Sequence, residues 1–154
     1  MFNTNQTMLY FYGGILDRMT MEQRSRNMSR IRMRDTGPEL ALRKALLANG
    51  IRGYRVSPRG ITGSPDIAFI GKKTAVFVDG CFWHRCPDCY REPSTNSLFW
   101  KMKTERNKER DIKVNALLRE QGWSVVRIWE HEIRADPYLA TTAVISALHG
   151  SCHH

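Results

Sequence analysis

The stretch Asp66-Ile-Ala-Phe-Ile-Gly-Lys-Lys-Thr-Ala-Val-Phe-Val-Asp-Gly-Cys-Phe-Trp-His84 decides the fold. Asp66 to Ile70 is a short apolar run and reads as a buried strand. Gly71-Lys-Lys73 supplies a turn, and Thr74 to Val78 reads as a second strand ending at Asp79-Gly80. The pair forms a hairpin whose second strand feeds directly into a cysteine cluster. Upstream, Asp35-Thr-Gly-Pro-Glu39 is a helix start, with Thr36 or Gly37 as cap and Pro38 in the first turn. That helix runs to the stop signal Asn49-Gly50. A short strand is expected at Tyr54-Arg-Val56, and a turn-rich loop from Gly60 to Pro65. Downstream, a long helix is expected from about Ser97 to Gln121, with Gly122 as its stop. Leu98, Met102, Ile112, Leu117 and Leu118 are expected to form its inner stripe, and Lys101, Lys103, Arg106, Lys108, Arg110 and Lys113 a basic remainder. A strand from Trp123 to Trp129 and a helix from Asp136-Pro137 through Leu148 complete the order. It implies an α/β fold: a single domain with a small mixed central sheet flanked by helices.

The 154 residues are enough for one domain with a real core. Lys and Arg number 24 against 15 Asp and Glu, a formal charge of +9. That excess favours a polyanionic partner, nucleic acid first, over a basic protein with no such partner. The 42% apolar and 25% charged shares exclude a disordered chain. Four cysteines with no secretory signal argue for reduced thiols and a metal in the cytosol rather than disulfides. No run is long enough to span a bilayer. Residues 1–20 read as a disordered extension, and Gly150-Ser-Cys-His-His154 as a flexible tail.

Cys81-x4-Cys86-x2-Cys89 has the spacing of a metal clamp, and a thiolate set favours Zn²⁺. The fourth ligand could come from His84, from His131 or from the tail group Cys152, His153 and His154. His131 follows a strand end and is the best placed, because ordering the tail costs entropy. Four protein ligands leave no open position, so this zinc would be structural. Asp66 opens a strand, and a carboxylate there can hold Mg²⁺ with several of its waters, with Asp79 at the neighbouring strand end. The alternative is a turn aspartate bonded to its own backbone. From Met21 to Arg34 the chain is polar and basic, either a phosphate-contacting arm or a solvated face.

Several strings agree in order with one family. Arg24-Ser-Arg-Asn-Met-Ser-Arg-Ile31, Asp35-Thr-Gly-Pro-Glu39, Gly63-Ser-Pro-Asp66 and Val76-Phe-Val-Asp-Gly-Cys-Phe-Trp-His84 come first. Phe99-Trp100, Asn107-x3-Asp111 and Gly122-Trp-x5-Trp129-Glu-His131 follow. Together they resemble the very-short-patch-repair (Vsr) mismatch endonucleases over residues 22 to 134, within a domain placed at 21–149.

The resemblance implies a restriction-endonuclease-like core of the PD-(D/E)xK class. It implies nicking 5′ to the thymine of a T:G mismatch in double-stranded DNA, the product of 5-methylcytosine deamination. It further implies that Asp66 is the main Mg²⁺ ligand, with the Val78 carbonyl beside it and Glu39 holding metal-bound waters. His84 would be the general base and Asp111 would orient it. Cys81, Cys86, Cys89 and His131 would bind structural zinc. Phe82, Trp83 and Trp100 would enter the base stack, and Arg24, Arg26, Asn27 and Arg30 would contact DNA. The enzyme would be a cytoplasmic monomer, open to other repair proteins as partners.

The chain departs from the pattern in places. Position 79 is Asp where some relatives carry His, so Asp79 is either a carboxylate beside the metal or a helper to His84. The lysine usual in the wider nuclease class has no counterpart, although Lys72 and Lys73 lie nearby. Two other functions remain open on the residues alone: a restriction-type enzyme cutting paired duplex, and a zinc-knuckle DNA-binding protein without catalysis.

Overall fold

A computed structural model describes residues 20–30 and 34–150. The chain falls into two units that divide between residues 31 and 32. In the first, α1 spans Met21–Arg30. Thr20 and Gln23 cap it reciprocally: the Gln23 amide donates to Thr20 Oγ1 at 3.1 Å, and the Thr20 amide to Gln23 Oε1 at 2.9 Å.

The second unit carries the sheet. Its elements are α2 (Gly37–Ala48), β1 (Arg55–Val56), β2 (Ile67–Phe69), β3 (Thr74–Asp79), α3 (Ser97–Glu120), β4 (Ser124–Trp129), α4 (Glu130–Ala135) and α5 (Pro137–Gly150). The strands lie in the order β1-β2-β3-β4. β1 with β2 and β2 with β3 are antiparallel, while β3 and β4 are parallel. A single 3₁₀ turn at Ile70–Lys72 closes the hairpin, with Lys73 in the left-handed region (φ 45°). A parallel pair cannot be joined by a tight turn, so the chain between β3 and β4 has to cross over, and α3 makes that crossing. The sheet is therefore mixed and flanked by helices, as the sequence implies.

The alternation of strand side chains divides the core in two. On one face, Val76, Val126 and Ile128 pack with Ile67, Phe69, Leu42, Leu46, Ile133, Ala140 and Val144, contributed by β2, α2, α4 and α5. Burying each large aliphatic of this set is worth roughly 1.5–3 kcal/mol. On the other face, Ala75 and Phe77 meet Leu118 of α3, with Val114, Trp123, Val125 and Ile61 around them.

The inner stripe expected of α3 is corrected here. Leu98 (70% exposed), Met102, Ile112 (61%) and Leu117 face outward, and of the expected set only Leu118 is buried. The inward positions are Trp100, Thr104, Asn107, Asp111, Val114, Asn115 and Leu118, which recur at helical spacing but are mostly polar. Among the described residues, no helix is long and apolar enough to cross a membrane.

Candidate active site and metal centre

Asp66 is fixed before its side chain is considered. Its amide donates to Val76 O at 3.0 Å, and its carbonyl accepts from the Ser57 amide at 2.8 Å. The preceding loop lies tight on α3. Gly63 has φ +77°, and a Cβ there would fall 2.2 Å from Val114 Cγ1, so only glycine permits the approach. Beyond the last β2–β3 pair, Asp66 Oδ2 accepts the Val78 amide at 2.7 Å. An extended residue directs its N–H and C=O to the same edge, so the Val78 carbonyl faces the Asp66 side as well.

The Asp66 carboxyl is pushed up to about 6. Burial is the main cause. The Val78 amide opposes it, the Glu39 and Asp79 carboxylates add to it, and His84 opposes it. Glu39, Asp79 and His84 therefore lie close enough to Asp66 for their charges to act on it. Glu39, buried in the first turn of α2, accepts from the Asp35 amide at 2.9 Å and from the Thr36 hydroxyl at 2.8 Å. The expected Thr36 cap therefore acts through Glu39 rather than on a helix amide.

His84 sits on a loop wound back on itself. The His84 amide donates to Gly80 O at 3.1 Å, and the Cys86 amide to Cys81 O at 2.9 Å. Its Nδ1 lies 2.5 Å from Asp111 Oδ2 and 3.9 Å from Asp79 Oδ1. A carboxylate only accepts, so Nδ1 carries the proton in this pair and Nε2 is left as the basic nitrogen. One turn before Asp111, Asn107 Nδ2 donates to Trp83 O at 3.0 Å and holds the loop to α3. Asp79 is engaged by Arg127, whose Nη1 donates to both of its oxygens at 2.8 and 3.0 Å.

Cys81 Sγ, Cys86 Sγ, Cys89 Sγ and His131 Nδ1 lie within 4.8 Å of one another. His131 Nδ1 is 3.3, 3.6 and 3.2 Å from the three sulfurs in that order, and Cys86 and Cys89 are 3.3 Å apart. A tetrahedral ion with metal–sulfur bonds of about 2.3 Å needs edges of roughly 3.8 Å, so the set fits one ion after a slight expansion. Without a cation the sulfurs resist joint ionisation. Hydrogen bonding to Cys81 and Cys86 pushes the Cys89 thiol up to about 12. Burial pushes Cys81 up, and at Cys86 burial is outweighed by the Cys89 and Asp88 amides, which bring it down. The Cys81 amide donates to Glu130 Oε1 at 2.9 Å, tying the loop to the β4–α4 junction that carries His131.

Phe82, Trp83 and Trp100 form a half-buried ring cluster. Phe82 lies 5.1 Å from Trp83 and 5.4 Å from Trp100, and Trp83 lies 5.9 Å from Trp100. Phe99 extends the cluster at 5.1 Å from Trp100 and is 57% exposed. The Lys103 ammonium stands 5.4–5.8 Å from the Trp83, Trp100 and Phe99 rings. Arg26, Asn27 and Arg30 are exposed on α1, and the Arg24 side chain lies outside the described residues. Lys73 is engaged elsewhere, donating to Gln121 O at 3.3 Å. Cys152, His153 and His154 also lie outside the described residues.

Sequence reasoning missed Arg127, Asn115 and Glu130. The signal for Arg127 was a lone charge in the apolar run Val-Val-Arg-Ile-Trp, which in a buried strand demands an inward acidic partner.

The mixed sheet flanked by helices defines an α/β protein, and its loop after β3 contributes to both a His–Asp pair and a Cys3His group that could hold a metal ion. The family model for the DNA mismatch endonuclease Vsr matches residues 16–91. The type II nicking enzyme V.NaeI of Lentzea aerocolonigenes is 49% identical over 131 residues, 82% of this chain and 76% of that one. The type II nicking enzyme V.HpaIIP of Haemophilus parainfluenzae is 37% identical over 89% of this chain and 99% of its own length. The DNA mismatch endonuclease Vsr of Escherichia coli K12 is 35% identical over 81% and 80%. The chain belongs to the Vsr family of endonucleases.

Proposed function

We propose that this protein is a magnesium-dependent endonuclease of very short patch repair. It nicks double-stranded DNA 5′ to the thymine of a T:G mismatch left by 5-methylcytosine deamination. The observation that carries this reading is the His84–Asp111 pair, 2.5 Å apart, whose imidazole acts electrostatically on the half-buried Asp66 carboxyl.

Asp111 holds the Nδ1 proton, and His84 Nε2 takes the proton of the attacking water. Asp66 and the Val78 carbonyl would hold magnesium, with Glu39 placed to accept from its bound waters. Magnesium, when bound, neutralises charge growing on the phosphate and on the leaving 3′ oxygen. The nick leaves 5′-phosphate and 3′-hydroxyl ends. Phe82, Trp83 and Trp100 stack into the duplex where pairing is weakest and unstacking costs least. Arg24, Arg26, Asn27 and Arg30 contact the backbone. Cys81, Cys86, Cys89 and His131 would hold a structural zinc, their thiolate-rich donor set favouring that ion.

The core is of the restriction-endonuclease (PD-(D/E)xK) type, a reading supported by an Asp66-bearing hairpin beside a parallel pair. The protein acts in the cytoplasm as a monomer, where other repair proteins could meet it.

Labelled T:G duplex with Mg²⁺, run beside matched T:A and C:G duplexes, tests this. A single nick on the thymine strand of T:G alone is expected. Cutting of both strands in matched duplex would indicate a restriction-type enzyme. Binding with no cutting of any duplex would indicate a pure binder.

A further inference from the structure

Strand alternation creates a polar network that the mechanism above leaves unused. Residues 75, 77 and 79 of β3 and 125, 127 and 129 of β4 share the face that meets α3. Arg127 stands opposite Phe77 in the parallel ladder, and its guanidinium lies 4.4 Å from the Phe77 ring centre. From there it spreads over three partners. Nη1 donates to both oxygens of Asp79, at 2.8 and 3.0 Å. Nη2 lies 3.3 Å from Asp111 Oδ1. Nε donates to Asn115 Oδ1 at 2.9 Å. The other oxygen of Asp111 meets His84 Nδ1, and Asp79 Oδ1 stands 3.9 Å from the same nitrogen. One cation therefore joins the two carboxylates that face the imidazole.

We propose that Arg127 is a positioning residue of the nicking reaction: its planar fork locks Asp79 and Asp111 so that His84 has one acceptor and one ring orientation. The inference rests on the endonuclease reading. Two carboxylates within 4 Å of one imidazole nitrogen compete for its proton. With both Asp79 oxygens turned to Arg127, Asp111 keeps the Nδ1 bond, and Nε2 is left to accept the proton of the attacking water. Asp79 is then a strut for Arg127 and not a metal ligand, which answers the question its sequence position raises. Asn115 and the Phe77 ring hold the guanidinium in plane, so the fork cannot swing to follow one carboxylate alone. A lysine could not substitute, because an ammonium is a point charge that does not span two carboxylates and an amide in one plane.

The test uses the full, zinc-loaded chain. Single-turnover nicking of T:G duplex in Mg²⁺ and affinity for the same duplex are measured for wild type, Arg127→Ala and Arg127→Lys, with and without added guanidinium ion. Arg127→Ala should lose roughly 10²-fold in rate, the size of a misaligned reacting group, at unchanged affinity. Guanidinium should restore part of that rate, and Arg127→Lys should remain slow at wild-type affinity and melting temperature. A wild-type rate in either folded variant overturns the proposal. So does a loss that tracks affinity or folded fraction, or an Arg127→Ala variant that guanidinium does not help. If Arg127→Ala does not fold, the folded Lys variant decides. If the wild type itself cuts no duplex, the endonuclease reading has failed instead. Arg127 is then judged by the His84 Nδ1–H proton resonance: displaced in Arg127→Lys if the brace is real, unmoved if it is not.

Discussion

The two faces of the sheet are built from different materials. The face toward α2, α4 and α5 is closed by Leu42, Leu46, Ile67, Val76, Ile128, Ile133 and Val144, all buried and apolar. The face toward α3 begins the same way with Ala75, Phe77 and Leu118, then turns polar toward the ends of β3 and β4, where Asp79, Arg127, Asp111, Asn115 and His84 meet. One face spends its side chains on stability. The other accepts the desolvation of two carboxylates and a guanidinium to hold an imidazole still, which weakens its case as a source of stability and marks it as the working face.

The largest expected effect breaks the link between the two faces. The Cys3His group joins the loop after β3 to α4, so removing its ion with a strong chelator should lower the melting temperature sharply and loosen the loop around Cys81. An unchanged melting curve would sink the metal reading.

The next pair separates the faces directly. His84→Ala should cut the nicking rate by about 10²–10⁴-fold with little change in melting. Leu46→Ala should cost about 2–5 kcal/mol of stability and leave the rate per folded molecule intact. If the rate falls as far in Leu46→Ala as in His84→Ala, the division of labour is wrong.

Asp66→Asn sharpens the contrast by trading function for stability. The folded protein keeps the Asp66 proton up to about pH 6, the unfolded chain only to about 3.8. Between those values folding takes up a proton, so this group's contribution falls as pH rises, and its full cost stands above pH 6. In magnesium-free buffer, Asp66→Asn should melt a few degrees above wild type at pH 8, by a margin that shrinks toward pH 5, and should not nick. A margin independent of pH would remove Asp66 as the titrating group.

The smallest effect checks the corrected helix face: Ile112→Ser, 61% exposed, should change stability by no more than about 0.5 kcal/mol. A loss of several kcal/mol would return Ile112 to the core.

That helix shows where the sequence stops speaking. An apolar stripe is a sound guide when a helix packs only to exclude water, as α2 does with Leu42, Ala45 and Leu46. Along α3 the inward positions hold Asn107, Asp111 and Asn115 beside Val114 and Leu118, because part of that face meets a polar site, and Leu98, Met102, Ile112 and Leu117 are left outside. The hairpin, the long helix and the cysteine spacing were legible because each is a local pattern of period, turn chemistry or ligand reach.

The sequence alone determined the strands, their order with every helix of the sheet unit except α4, and the residue types of the site, since these follow from short-range geometry. Only the tertiary structure decided that Arg127 stands between Asp79 and Asp111, that the charge of Glu39 reaches Asp66, and that His131, favoured among the ligands the sequence offered, closes the cysteine set. Those meetings join side chains 16 to 50 positions apart. They depend on sheet register and on which face of α3 is pressed inward, which no local pattern encodes.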